Sequence, residues 1–371
     1  MLDRPPELPA LSRTRRLNIY RVIRSGLGAL LVAYVAWRLY EVLVVKAEYG
    51  PDTWLRFAIS GLVLGSVYSL IAIGYTLVYG ILRMINFAHG DVMMLGAFGG
   101  YFVLEALSAI PVASEVNPPL TFLNAHPILA VILAFACGMS IAALSGFFLE
   151  RIVYHPLRRA PRLAPLIGAI GASVFLENAA QLLFGPQRRD YNNPFLLLRG
   201  AGWLIPVGTG VRLTYTGVLT FVLSLILMLG LYLLVYHTRL GCAMRAVAED
   251  KQTAALMGID VDHVISLTFV ISGALAGAAG VMWGLHNGLV YYLIGFVPGL
   301  KAFTAAVLGG IGNVPGTLFG GLLLGTIESV GPAALGIDFQ LKDVIAFLIL
   351  ILVLLFRPAG LLGEVSTEET L

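Results

Sequence analysis

The chain has 371 residues, 58% of them apolar and only 12% charged, with a net charge of +3. Soluble domains carry about a quarter of their residues as charges, so this composition excludes an aqueous globular protein and indicates a polytopic membrane protein. The small basic excess belongs to membrane orientation, not to nucleic acid, and two cysteines, Cys137 and Cys242, make no disulfide framework.

Residues 1–25 hold Arg4, Arg13, Arg15, Arg16, Arg21 and Arg24 against Asp3 and Glu7. That excess predicts a retained cytoplasmic tail, not a cleaved leader. A first span at 26–45 carries Arg38 and Glu41 close enough to pair. It lacks the glycine-rich texture of the later spans and is expected to be accessory. Spans at 57–79 and 88–107 flank the stretch 80–91, where Asn86, His89, Gly90 and Asp91 interrupt an apolar pattern. Backbone without helical bonding survives at membrane depth only where protein or a water-filled path surrounds it. Tyr79, Asn86, His89 and Asp91 are therefore candidates to line a solute path. The plainer alternative is a cytoplasmic turn, with Asp91 at the favourable positive end of the next helix.

Residues 108–126 contain no Lys or Arg and are predicted outside. A span at 127–149 leads to an inside loop at 150–162 with Arg151, Arg158, Arg159 and Arg162. A span at 163–184 carries Glu177 and Asn178. A longer outside segment at 185–216 precedes a span at 217–236. The alternation puts the polar island 238–263 in the cytoplasm. The island holds Arg239, Arg245, Glu249, Asp250, Lys251, Asp260 and Asp262; its stretch 242–257 has no Pro or Gly, and Gly258 follows as a stop. A short amphipathic helix outside the membrane is predicted there, placed to receive a push from a soluble partner. An ordinary solvated loop helix is the plainer alternative.

A span at 264–285 follows. The stretch 301–329 is too rich in glycine for one helix and is predicted to form two pieces joined by a break at 311–315. A last span at 341–356 ends at Arg357, before an acidic tail at 358–371. The total is eight to ten membrane segments, and the tail is cytoplasmic only if both pieces of 301–329 cross. Interrupted stretches at 80–99 and 298–321 lie in opposite halves of the chain, a pattern that points to a transport path. Gly61/Gly65 and Gly273/Gly277 predict close helix approach.

Glu105, Glu177 and Glu328 are costly in lipid and must face protein or water; the sequence displays no basic partner for them. None of the four lysines, Lys46, Lys251, Lys301 and Lys342, follows a glycine, so no Walker A loop exists and the chain is not itself a P-loop ATPase. There is no HExxH and no Cys/His set at metal-ligand spacing. The run Gly171-Ala-Ser-Val174 has valine where an intramembrane serine-protease loop has glycine, so Ser173 is expected to be a small polar helix contact with no catalytic role.

Five stretches carry a family likeness. GLVLGSVYSLIAIGYTLVYGILRMINFAHGDVMMLGAF (61–98) resembles the opening of the LivH-type permeases, membrane subunits of branched-chain amino acid ABC importers. The resemblance continues through ERIVYHPLRRAPRLAPLIGAIGASVFLEN (150–178) and CAMRAVAEDKQTAALMGIDVDHVISLTFVISG (242–273). It closes with GFVPGLKAFTAAVLGGIGNVPGTLFGGLLLG (295–325) and LILVLLFRPAGLLG (350–363). It implies an all-α, type II ABC importer-like permease with broken or re-entrant helices and a permease domain at 57–357. A cytoplasmic coupling loop at 238–263 would use Arg245, Glu249, Asp250, Lys251 and Gly258. The implied partners are a second, similar permease subunit, two cytoplasmic ABC ATPases and a periplasmic binding protein, in a bacterial inner membrane. ATP would be used by those partners, with no cofactor or metal on this chain, to move leucine, isoleucine and valine by alternating access. Urea or short amides are the alternative cargo within the superfamily. A secondary transporter or channel working through Asp91, Glu177 or Glu328 is the alternative mechanism.

Overall fold

The computed structural model describes residues 26, 28–30, 33–46, 49–113, 120–158, 160–161, 163–198, 200–204, 210–357 and 359–363. The basic tail 1–25, Arg159, Arg162 and the end of the acidic tail at 364–371 lie outside the described residues. Among those described, nine helices are long and apolar enough to cross a membrane. In chain order the helices are α1 (Gly28–Lys46), α2 (Pro51–Leu82), α3 (His89–Ser108), α4 (Pro127–Leu157), α5 (Leu163–Phe184) and α6 (Tyr215–His237). Two short helices follow, α7 (Arg239–Glu249) and α8 (Lys251–Leu256). The last four are α9 (Val261–Asn287), the shorter α10 (Phe296–Gly309), α11 (Val314–Leu335) and α12 (Lys342–Phe356).

Two glycine seams hold the bundle together. Along the first, α2 and α11 run antiparallel. A Cβ at Gly61 would lie 2.7 Å from the Thr326 backbone, and one at Gly65 would lie 2.8 Å from that of Leu322. At that separation the Ser69 hydroxyl reaches the Leu318 carbonyl (2.8 Å), and the hydroxyls of Thr76 and Thr317 share a hydrogen bond (2.8 Å). Along the second, Gly273 and Gly277 of α9 meet Gly138 and Ala142 of α4, and α3 inserts Gly96 against Gly277. Helices in lipid associate by van der Waals contact and hydrogen bonds, which small residues permit by close approach. The expected small-residue pairs are therefore contact points of the bundle.

Contacts at the helix ends define two faces. At the start of α2, Arg56 donates to the Gly210 carbonyl, and the Phe57 ring packs 5.4 Å from that of Phe339, just before α12. This hairpin end also holds β1 (Arg189–Asp190) paired with β4 (Leu289–Val290), and β2 (Gly202–Leu204) paired with β3 (Arg212–Thr214). The opposite end holds α7, α8 and the turn at Arg83. Helix α12 starts at the hairpin end, so Arg357–Gly363 lies at the opposite end with α7 and α8. There the Leu361 and Leu362 amides donate to the carbonyls of Leu308 and Gly309.

Three expectations change at residue level. The break in the glycine-rich stretch falls at 310–313, earlier than 311–315. Gly310 and Gly312 supply positive φ, Asn313 caps α11 by accepting from Gly316 N–H (3.0 Å), and Pro315 falls in the first turn, where its missing N–H costs nothing. The loop expected from 150 is still helical: α4 continues through a π-helical segment, Glu150–Tyr154, to Leu157. Glu150 is tolerated there because Arg158 and Ser266 satisfy it. The single helix expected over 242–257 is two helices, because Asp250 leaves helical geometry and caps the second.

Helix α1 touches the bundle lightly. Arg38 donates to the Leu335 carbonyl through Nε (3.0 Å) and Nη2 (2.7 Å), satisfying an acceptor that the end of α11 leaves free, and pairs with Glu41 at 2.6 Å.

Candidate translocation site

Helix α5 has 22 residues, and Ser173 is its eleventh, about 15 Å from either end at 1.5 Å per residue. The Ser173 hydroxyl donates to Asp91 Oδ2, so Asp91, in the first turn of α3, packs against the middle of α5. Helix α2 ends at Leu82, Arg83 takes the left-handed conformation, and the chain turns back inward before α3 begins at His89. The expected interruption is therefore a turn at 83–88 between α2 and α3. Helix α10 begins beside it. A Cβ on Gly295 would lie 1.9 Å from the Gly90 carbonyl oxygen, and one on Gly90 would lie 2.6 Å from that of Gly295. Two broken-helix starts thus touch, backbone on backbone, through one glycine pair.

A cavity of about 140 Å³ opens at this junction. Tyr75 of α2, Phe87 of the turn, Asp91 of α3, Ser173 and Glu177 of α5, and Phe296 and Gly299 of α10 line it. The positive ends of α3 and α10 face it, the arrangement that broken helices give to solute sites at the membrane midplane.

The candidate residues divide around this cavity. Asp91 and Glu177 line it. Asn86 does not: its Oδ1 accepts from the buried Tyr154 hydroxyl (3.2 Å), pinning the turn to the π segment of α4. His89 packs its ring 4.8 Å from that of Tyr75 and fills the space that a side chain at Gly74 would need. Tyr79 borders a separate, smaller pocket with Ile85 and Ile311. Glu328 lies elsewhere. Although the sequence displays no partner for it, Lys301 Nζ sits 2.7 Å from its Oε1 and 2.6 Å from Asp343 Oδ1, and 5.8 Å from the Tyr68 ring centre. A lone lysine inside the apolar α10 was the signal that this buried ion pair left in the sequence.

Known proteins match this sequence. The family described as branched-chain amino acid transport system / permease component matches residues 57–354. The chain belongs to that permease family. It is 44% identical over 316 residues to the high-affinity branched-chain amino acid transport system permease protein BraD of Pseudomonas aeruginosa, covering 85% of this chain and 98% of that one. It is 41% identical over 318 residues to LivH of Escherichia coli K12, the permease protein of its high-affinity branched-chain amino acid transport system, covering 85% and 97%. The fructose import permease protein FrcC of Rhizobium meliloti is more distant, at 29% over 234 residues, covering 59% and 61%. No solved structure matches the permease.

The second region of interest in the permease is the α7–α8 segment. Each of its helices starts on a side-chain cap, the device that satisfies free N–H groups at a helix start. Thr238 accepts from Gly241 N–H (3.1 Å), Asp250 from Gln252 N–H (2.8 Å), and Asp260, opening α9, from His263 N–H (3.0 Å). The Thr253 hydroxyl, with the Gln252 and Thr253 amides, holds the Asp250 carboxyl below the usual range. Desolvation, with repulsion from Arg158 and Arg83, holds the Lys251 amine below the usual lysine range.

Arg245 is committed internally. It donates to the Val235 carbonyl (2.6 Å) and lies over the Tyr236 ring, fixing α7 to the end of α6. Glu249 is exposed, and Gly258 has φ +84°, as its stop role requires. The charges of the island draw attention away from Leu256 and Met257, 87% and 79% exposed at the tip of the segment. Two adjacent apolar side chains held off the body of the permease are suited to a pocket on a partner.

Proposed function

We propose that the permease forms the membrane path of an ATP-driven importer of branched-chain amino acids in the bacterial inner membrane. The 44% identity to BraD across 98% of that protein's length carries this reading; the cavity between broken helices supports a solute path, not an enzyme site. Hydrolysis falls to ATPase partners and delivery to a binding protein. We further assign one similar permease and two ATPases to the complex.

The second permease closes the cavity from the α5 side. Helix α5 is mostly exposed along its length, yet it carries Glu177, Asn178 and Gln181 in its second half. Asn178 is exposed on this membrane-length helix, where a polar group is costly against lipid and faces protein or water instead.

Reconstituted with its ATPase and binding-protein partners, the permease is expected to take up leucine only with ATP, in competition with isoleucine and valine and not with urea. Uptake by the purified chain alone, or competition by urea, would overturn this reading.

Coupling is assigned to α7–α8, with Leu256 and Met257 as the docking knob. Changing both to aspartate leaves the permease folded, since neither packs within it, but weakens ATPase retention by at least about 10-fold, the order of effect of losing one interface hot spot. Pull-down of the ATPase on tagged permease reads this directly. Native retention by the double variant would remove the knob from the interface.

A further inference from the structure

Four carboxylates that line the cavity or are buried in the bundle are Asp91, Glu150, Glu177 and Glu328. Two are neutralised inside the chain: Glu150 by Arg158, with the Ser266 hydroxyl at 2.7 Å, and Glu328 by Lys301. The other two share the cavity. Asp91 is 2% exposed, and its side-chain partner is the Ser173 hydroxyl. Glu177 is half-buried; its Oε1 is buried without a hydrogen-bond partner and lies within electrostatic reach of Asp91. Among the described residues that line the cavity, none is Lys, Arg or His. An acid withdrawn from water without a counter-charge is unfavourable, and two side by side are more so. The same fold supplies cations to Glu150 and Glu328, but among the described residues it supplies none to this pair.

We propose that Asp91 and Glu177 receive the ammonium group of the amino acid in transit, the cargo itself providing the counter-charge. This rests on the reading of the protein as an amino acid permease and deepens it. The volume matches part of the cargo. About 140 Å³ equals roughly four or five waters at about 30 Å³ each, enough for an ammonium group and its first carbons. Ligand pockets that enclose a whole molecule start at about 300 Å³. The side chain of the cargo therefore extends toward the wall that α5 shares with the second permease. The carboxylate of the cargo is directed toward the first turn of α10, away from the acids. Transient neutralisation suits a conduit, because the acids attract the ammonium without enclosing the cargo.

The test uses the complete transport complex in detergent, without binding protein. Modification of Glu177 by dicyclohexylcarbodiimide is followed by mass spectrometry at one pH and one sodium concentration. Leucine and isopentylamine, which carry the ammonium, are expected to slow it. A ligand held at twice its Kd leaves a third of the sites free, giving about threefold protection. 4-Methylpentanoate, which has the same carbon skeleton and no ammonium, is expected to give none.

In proteoliposomes with binding protein, Glu177→Gln is expected to lower the maximal leucine uptake rate about 10-fold, roughly the loss of one charged contact. Stimulation of ATP hydrolysis by the binding protein should persist, and Glu177→Asp should restore part of the uptake. Equal protection by 4-methylpentanoate, or protection by sodium or acid alone, would overturn the proposal, as would native uptake by Glu177→Gln. If the native complex takes up leucine but Glu177 reacts equally with and without amines, this inference fails and the permease reading stands. If the native complex shows no ATP-dependent leucine uptake, the permease reading itself fails.

Discussion

Gly325→Leu is expected to abolish the folded permease, seen as loss of the monodisperse, thermally cooperative species after detergent extraction. A Cβ at Gly325 would lie 2.2 Å from both Cα and N of Gly65, and 2.7 Å from the Gly61 carbonyl oxygen. All three are backbone atoms, so no rotamer change relieves the contact and the two helices must separate. Overpacking a core that can adjust costs about 1–3 kcal/mol; here adjustment also breaks the bonds that depend on close approach. Those include Ser69 to the Leu318 carbonyl and the Thr76–Thr317 pair, and Ser329 to the Phe57 carbonyl at 2.8 Å. A control exists on the partner helix, α2. A Cβ at Gly80 has nothing within 4 Å, so Gly80→Ala should hold or raise the melting temperature, since alanine is favoured over glycine in a helix by about 1 kcal/mol. Equal melting of Gly325→Leu and the native chain would mean that the α2–α11 seam does not hold the bundle.

The seam was legible because spacing alone marks it: glycines four residues apart share one helix face. The same local logic found α5 to the residue, bounded by Pro161 and Arg162 before Leu163 and by Gly185 with Pro186 after Phe184. It also found that the helices break within 80–91 and near 311–315, though the breaks themselves fall at 83–88 and 310–313. Pairings across the chain were not legible. Ser173 and Asp91 are 82 residues apart, Glu150 and Ser266 are 116, and Lys301 and Glu328 are 27 apart on two different helices. A sequence shows that each of these groups is costly in lipid, but not which one offsets which. Asn86 and His89 illustrate the consequence. Their chemistry suited a solute path, yet the fold uses one to hold Tyr154 and the other to fill the space beside Gly74. The split at Asp250 had a local signal that charge reading obscured, since Asp-Lys-Gln-Thr is as good a helix start as it is a helix interior.

Arg158→Ala is expected to separate ATP hydrolysis from leucine uptake. Glu150 is fully buried in the π segment of α4, and Arg158 Nη2 holds it while Nη1 holds Asp262 in the first turn of α9. Ser266, one turn further along α9, donates to the second Glu150 oxygen at 2.7 Å. Asp262 follows the α7–α8 segment within a few residues, so this cluster is where displacement of that segment reaches α4 and, through the Gly273/Gly277 seam, the centre of the bundle. Removing the guanidinium leaves a buried carboxylate without its cation, a loss of about 3–5 kcal/mol, and frees α9 from α4. Uptake per ATP hydrolysed should fall several-fold while the ATPase stays bound, because Leu256 and Met257 are untouched. Arg158→Lys should recover little, since the single nitrogen of a lysine does not reproduce the two separate nitrogens with which Arg158 meets Glu150 and Asp262. Combining Arg158→Ala with Glu150→Gln should restore much of the melting temperature, because the orphaned charge is gone, without restoring coupling, because the bridge to Asp262 is still missing. Stability and coupling therefore part in the double variant, and a double variant that regains both would show the cluster to be a structural tie with no part in transmission.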